Sequence, residues 1–221
     1  MPREEQVLVI ETKILEQVGA FHGLAFDLER YLPALFAPGA PRFMPRSLAE
    51  SDPSYKQIIP YVIMTHNGKY LSYVRGKRAG ETRLVGLRSL GIGGHINPAD
   101  DHTYDMPLFE ADFYEAYTNA VRREVAEEVT LETPYSNLVA ALLNDDTNEV
   151  GRVHLGIVHY WILDQPKVAK REQMITQMDF MAPAELMQVK DTLETWSGLC
   201  LEKLDLLKQS AVPLHSLLQN P

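Results

Sequence analysis

A single cysteine, Cys200, stands in 221 residues, so no disulfide can form within the chain. That usage fits a reducing compartment. Long apolar runs are missing too. No stretch approaches the roughly 18 apolar residues of a membrane span. The opening MPREEQVLVIET holds no apolar core long enough for a secretory signal. The expectation is a cytoplasmic protein without membrane segments. Basic residues are few beside acidic ones, 21 against 30, for a formal net charge of −9. This balance disfavours general binding of duplex nucleic acid, which needs excess Lys and Arg to neutralise phosphates. It leaves room for local phosphate binding through a metal ion or a few placed cations. Internal repeats and low-complexity segments are also lacking.

What is present reads as one globular chain long enough to bury a core without cross-links. Prolines at Pro33, Pro38, Pro41, Pro45, Pro53 and Pro60 break residues 32 to 60 into irregular chain leading to a sheet. Before them, a strand is expected at 6 to 12 and helical turns around 24 to 36. Two β-rich runs, 58 to 65 and 69 to 75, flank Asn67-Gly68, which suits a type I′ hairpin turn. A strand at 83 to 90 ends in Gly91, Gly93 and Gly94, and a polar insert then leads to a helix over at least 116 to 129. A second hairpin pairs 137 to 143 with 152 to 163. Pro183 opens a helix, and 191 to 208 reads as a closing amphipathic helix containing Cys200. Strands, helix, strands, helix make an α+β fold with a mixed sheet between helices. The division expected is an N-terminal extension, 1 to 56, packed on a domain of 57 to 221.

The segment VRREVAEEV, 121 to 129, places Glu124, Glu127 and Glu128 within five positions. On a helix Val121, Val125 and Val129 form an apolar stripe, while Glu124 and Glu128 stand one turn apart on another face. Like charges so placed repel by a few tenths of a kcal/mol per pair, roughly, and more strongly beside a sheet that excludes water. One reading is a solvated charged face offset by Arg122 and Arg123. The other is a site for a hard divalent cation, which takes oxygen ligands and carries phosphates.

The spacing Gly93-Gly94, a gap, Glu115, seven residues, then Arg123-Glu124-Val125-Ala126-Glu127-Glu128 and Leu131 resembles the Nudix box, G-x5-E-x7-R-E-U-x-E-E-x-G-U with U aliphatic. The resemblance covers roughly residues 57 to 190 and extends to a bacterial group of predicted Nudix phosphoesterases. Two departures stand out. Twenty residues separate Gly94 from Glu115 where the family has five, and Thr130 replaces a glycine. The resemblance implies Mg²⁺- or Mn²⁺-dependent hydrolysis of a diphosphate linkage in a nucleotide-derived or related small phosphorylated compound. Glu124, Glu127, Glu128 and the Gly94 carbonyl would hold the metal, and Arg123 would pair with Glu115. The catalytic base would be Glu124 or Glu172 in a later loop, with Glu149, Asp145 and Asp146 as rivals. His95, Arg152 and His154 are candidate substrate contacts, the last two expected on one strand face. Arg75, Lys77, Arg78, Arg83 and Arg88 give the first strands local basic character. Residues 1 to 56 are a candidate homodimer interface.

Competing readings are a non-catalytic Nudix-like nucleotide-binding or regulatory domain, an isopentenyl-diphosphate isomerase-like enzyme and a hydrolase of RNA ends. The second needs an active-site cysteine, whereas Cys200 reads as a small buried hydrophobe. The third is disfavoured by the acidic balance and the lack of an aromatic–basic stretch.

Overall fold

The computed structural model describes residues 4–76, 84–101, 113–171 and 175–218. Strand β4 (Tyr55–His66) turns into β5 (Lys69–Arg75) as expected. Asn67 and Gly68 both take positive φ, 48° and 75°, the combination a type I′ turn demands. The second hairpin also forms, from β9 (Tyr135–Asn144) and β10 (His154–Leu163) in antiparallel register. Its second strand then runs parallel to β4 at the centre of the sheet, from His154 opposite Gln57 to Ile162 opposite Thr65. The main path is β12 (Ile175–Met181), β5, β4, β10, β9 and β2 (Gly23–Ala25).

The N-terminal residues belong to the same sheet. Strand β1 (Gln6–Glu11) pairs with β3 (Arg42–Pro45) and with the start of β4. Its Leu8 amide also donates to the Ile96 carbonyl at 2.9 Å. The proline-broken region is therefore more ordered than its composition suggests, and β4 runs straight through Pro60. On that side β1 covers Tyr55 to Gln57 and β7 (Gly91–Gly93) covers Tyr61 to Ile63. Pro60 lies between the two partners, where no ladder donor is required.

Three expected elements differ. The strand at 83 to 90 is replaced by β6 (Arg88–Ser89) on β5 and β7 on β4, because the chain changes neighbour at Leu90. Arg152 ends a short helix, α5 (Glu149–Arg152), and so does not share a strand face with His154. The closing helix is two pieces, α7 (Thr195–Leu201) and α8 (Leu204–Ser210), broken where Lys203 leaves helical geometry at φ −130°, ψ 23°. The first packs on β2 and the second on β9. Among the described residues no helix is long and apolar enough to cross a membrane.

Strand alternation sorts the core into two faces. Ile58, Val62 and Met64 of β4 pack against α4 (Phe113–Glu128) through Ala116, Tyr117, Ala120, Val121 and Val125. Val121 and Val125 of the valine stripe thus lie on the buried face of this helix, while Val129, also buried, already opens a short strand, Val129–Leu131. Tyr61 and Ile63 face the other way, toward α6 (Pro183–Gln188), which Pro183 opens, and toward α7 and α8, where Cys200 is fully buried. Helices on both faces of a mixed sheet make the fold α+β.

On the α4 face, His159 is completely buried. Its Nε2 lies 2.5 Å from the Tyr117 hydroxyl and its Nδ1 2.7 Å from Asn137 Oδ1. Burial pushes this imidazole down to about 3. Between that value and the unfolded value near 6.5 the unfolded chain binds the proton and the folded chain does not, so stability falls as pH falls through this window. The expected slope for this group is about 1.4 kcal/mol per pH unit. Urea midpoints measured at several values across the window check it. His159→Gln should flatten the dependence, and an unchanged slope would remove His159 as its source.

Candidate functional site

Gly93, which ends β7, and Gly94 after it bring backbone to the flank of α4. A Cβ built on Gly94 would come within 2.0 Å of Glu124 Oε2, so only glycine lets this carboxylate rest on the loop. Burial raises the Glu124 carboxyl above the usual carboxylate range. Attraction to Arg123 opposes that rise, and the nearby charges of Glu127 and Asp100 add to it. A carboxylate short of solvation next to a second carboxylate is a good receiver of a cation or a proton. Glu127 is half exposed, and Glu128 lies within electrostatic reach of Tyr73 and Arg75.

Arg123 joins helix and loop. Its Nε and Nη2 form a fork on Asp100 at 2.7 and 2.9 Å. Nη2 also donates to the His95 carbonyl at 2.8 Å, and Nη1 reaches Glu124 at 2.7 Å and Glu127 at 3.2 Å. Asp100 closes a 3-10 turn, Pro98–Asp100, by accepting from the Asn97 amide at 2.8 Å, and its own carbonyl accepts from Asn119 at 2.9 Å. The expected partner of Arg123 was Glu115, and this is corrected. Glu115 and Arg123 share helix α4, where eight residues rise about 12 Å. Counted from the glycine instead, five residues follow Gly94 and Asp100 comes next, the position at which the box has its first carboxylate. The insertion thus falls after Asp100. Of the expected insert, residues 95–101 form the loop just described, 113 and 114 open α4, and 102–112 lie outside the described residues.

Next to Gly93 and Gly94 a cavity of about 460 Å³ opens on the face away from α4. His95 and His154 both line it, with ring centroids 5.9 Å apart. Glu50, one residue beyond α3 (Arg46–Ala49), completes a group whose donor atoms lie within 4.8 Å of one another and could hold a metal ion. Ile59, Leu87, Leu193 and Trp196 form an apolar wall, and Arg46 and Arg75 add positive charge. Arg75 pairs with the buried Glu194 at 2.9 Å, which also accepts from the Ser89 hydroxyl. Tyr61 closes this network through Ser197 at 2.7 Å.

The remaining candidates fall elsewhere. Arg152 is exposed and bonds back to the Asp146 carbonyl at 3.3 Å. Asp145 is tied into its own turn through Thr147 and Asn148, and Asp146 pairs with Lys56 at 2.7 Å. Glu149 lines the cavity. Arg88 turns to Ser72 and Gln177. Glu172, Lys77, Arg78 and Arg83 lie outside the described residues. Glu50, Glu194 and Trp196 carried no signal of their own in the sequence, whereas Asp100 could have been found by counting from the glycine.

No protein-family model matches the chain. Protein YmaB of Bacillus subtilis is 35% identical over 171 residues, which cover 74% of this chain and 78% of YmaB. The crystal structure of Tm1382, assigned to the Nudix hydrolases by its description, is 30% identical with a TM-score of 0.72, over 90% of this chain and 98% of its own. A Nudix hydrolase from Nitrosomonas europaea, 15% identical with a TM-score of 0.50 over 75% of this chain and 97% of its own, shares the fold.

A partly buried, forked Arg–carboxylate pair couples more strongly than a surface ion pair. A double-mutant cycle on Arg123→Ala and Asp100→Ala, read by chemical unfolding, should give a coupling of about 2 kcal/mol. A value under about 0.5 kcal/mol would reduce the fork to an ordinary surface pair.

Proposed function

The chain belongs to the Nudix hydrolase family, and from that premise we propose that it hydrolyses a diphosphate linkage in a nucleoside diphosphate derivative or a related small phosphorylated compound, with Mg²⁺ or Mn²⁺. The observation that carries this reading is the seat of Glu124 on Gly94, fixed from the helix side by Arg123. The donor set there suits a hard ion, because every candidate side chain is a carboxylate and the Gly94 backbone lies against one of them. Glu124, Glu127, Glu128 and the Gly94 carbonyl are the groups that would hold it. When bound, such an ion neutralises phosphoryl oxygens, activates water and stabilises the leaving oxygen.

The chain's own residues do the rest. Arg123 keeps Glu124 and Glu127 turned to one side of the helix despite their mutual repulsion. Glu124 has the raised proton affinity of a partly desolvated carboxylate, which suits it to accept a proton from the attacking water. Glu172 is the alternative acceptor. The cavity, at about 460 Å³, falls within the usual range for small-molecule sites. Its apolar wall with Trp196 takes a flat or apolar group, while Arg75 and Arg46 offer charge to phosphate oxygens.

The test is a panel of diphosphate compounds incubated with and without Mg²⁺, read by phosphate or nucleotide release. Wild-type turnover should require the ion. Glu124→Gln and Glu127→Gln should each lower kcat at least about a hundredfold. A pH–rate profile that loses its acidic limb in Glu172→Gln but keeps it in Glu124→Gln would move the base to the loop. Full activity in all three variants would refute the assigned site, and ion-independent binding without turnover would favour a binding domain.

A further inference from the structure

Glu50, His95 and His154 reach one point from three separate parts of the chain: the end of α3, the loop after β7 and the first residue of β10. All three line the cavity. We infer that they form a second divalent-cation site, chemically distinct from the helix carboxylates, which takes a first-row transition ion of the zinc class and leaves a coordination position open to the cavity. Two imidazoles and one carboxylate are the donors of open zinc centres. The same set is poorly matched to Mg²⁺, which prefers oxygen and retains its waters. The inference goes beyond diphosphate hydrolysis and stands whether or not that reaction occurs.

The surroundings of His154 support this role. Its Nδ1 is 2.6 Å from the Val150 carbonyl. A carbonyl only accepts, so Nδ1 carries the hydrogen and Nε2 keeps its lone pair. This is the arrangement that outer partners impose on metal-binding histidines. The turn leading into His154 is held by a buried ammonium. Lys56 is 1% exposed and donates to the carbonyls of Gly151 at 3.1 Å and Arg152 at 3.0 Å while pairing with Asp146 at 2.7 Å. On the other side, the loop bearing His95 is fixed by the bond from Arg123 to its carbonyl.

Gln57 is an independent sign. It stands opposite His154 in the parallel ladder, on the same face of the sheet. Its amide is buried, and neither its nitrogen nor its oxygen has a hydrogen-bond partner among the described residues. Native folds rarely leave both ends of a buried amide unsatisfied without an ion or ordered water to account for it. A hydrated cation beside His154 supplies such partners. Arg46 is the cation that now shares Glu50, at 3.4 Å, and it keeps Glu5 at 2.8 Å when Glu50 turns to a metal.

The experiment is calorimetric titration of the full chain with Zn²⁺ in excess Mg²⁺, so that hard-ion sites are already filled. Wild type should bind one Zn²⁺. Glu124→Gln/Glu127→Gln should bind it equally well, while His95→Gln and His154→Gln should each lose about a hundredfold in affinity. Wild-type crystals grown with Zn²⁺ should show an anomalous peak between the three side chains, a result that does not depend on either variant folding. No Zn²⁺ bound by wild type in Mg²⁺, an unchanged His95→Gln, or a peak at the helix carboxylates instead would overturn the assignment. Hydrolysis in the diphosphate panel is read separately, so failure of either leaves the other standing.

Discussion

One guanidinium holds the site together. Arg123 reaches forward to Glu124 and Glu127 on its own helix and sideways to Asp100 and the His95 carbonyl on the glycine loop. Without it, three carboxylates and a carbonyl dipole would stand close together where part of the water is excluded. With it, the loop and α4 form one rigid corner. That corner sets where Glu124 sits on Gly94 and where His95 enters the cavity, so the helix carboxylates and the cavity share a common anchor. Most of the net binding lies in the Asp100 fork, where the geometry is bidentate and the acid is buried. The Glu127 contact is more exposed and contributes less.

The sheet divides labour between its faces. On one side α4 buries its alanines, Tyr117 and valines on β4 and β10, which fixes the helix axis and so the direction of its acidic edge. On the other side α3 and the start of α7 border the cavity, whereas Leu15, Tyr31, Leu32 and Leu35 join the α4 side of the core. The N-terminal residues are therefore more than a cover. They add β1 and β3 to the sheet, tie the glycine loop through Leu8, and deliver Arg46 and Glu50 to the cavity. From the C-terminal side, Glu194 and Ser197 lock Tyr61 and Arg75 in a buried polar network. Such a network is costly unless each member has a partner, and here its members are mutually bonded.

How far the sequence reveals this depends on whether a signal is local. Asn67-Gly68 announced its hairpin because positive φ at two adjacent residues is a local demand. The carboxylates of α4 were legible because helical spacing fixes their relation. The pairing of Arg123 with an acid is legible from the box, but the acid is Asp100 and not Glu115. Counting backward from the helix leads to Glu115, and counting forward from the glycine leads to Asp100. Only the fold decides which side of the inserted residues keeps the original geometry. The break at Lys203 was hidden because the apolar residues on either side keep a helical rhythm. The meeting of Glu50, His95 and His154 could not be read at all, since it depends on three strands finding their neighbours. The division of the box is thus visible from spacing, whereas the cavity is a product of topology.

The central claim is that the backbone at Gly94 and the Glu124 carboxylate form one preset seat for a divalent ion. Manganese affinity of Gly94→Ala, followed by electron paramagnetic resonance of the free ion, tests this most directly, because the added methyl occupies the space that Glu124 Oε2 now fills. The expected result is at least about a tenfold loss of affinity in a protein whose far-ultraviolet circular dichroism is unchanged. Manganese binding equal to wild type in that variant would contradict the account.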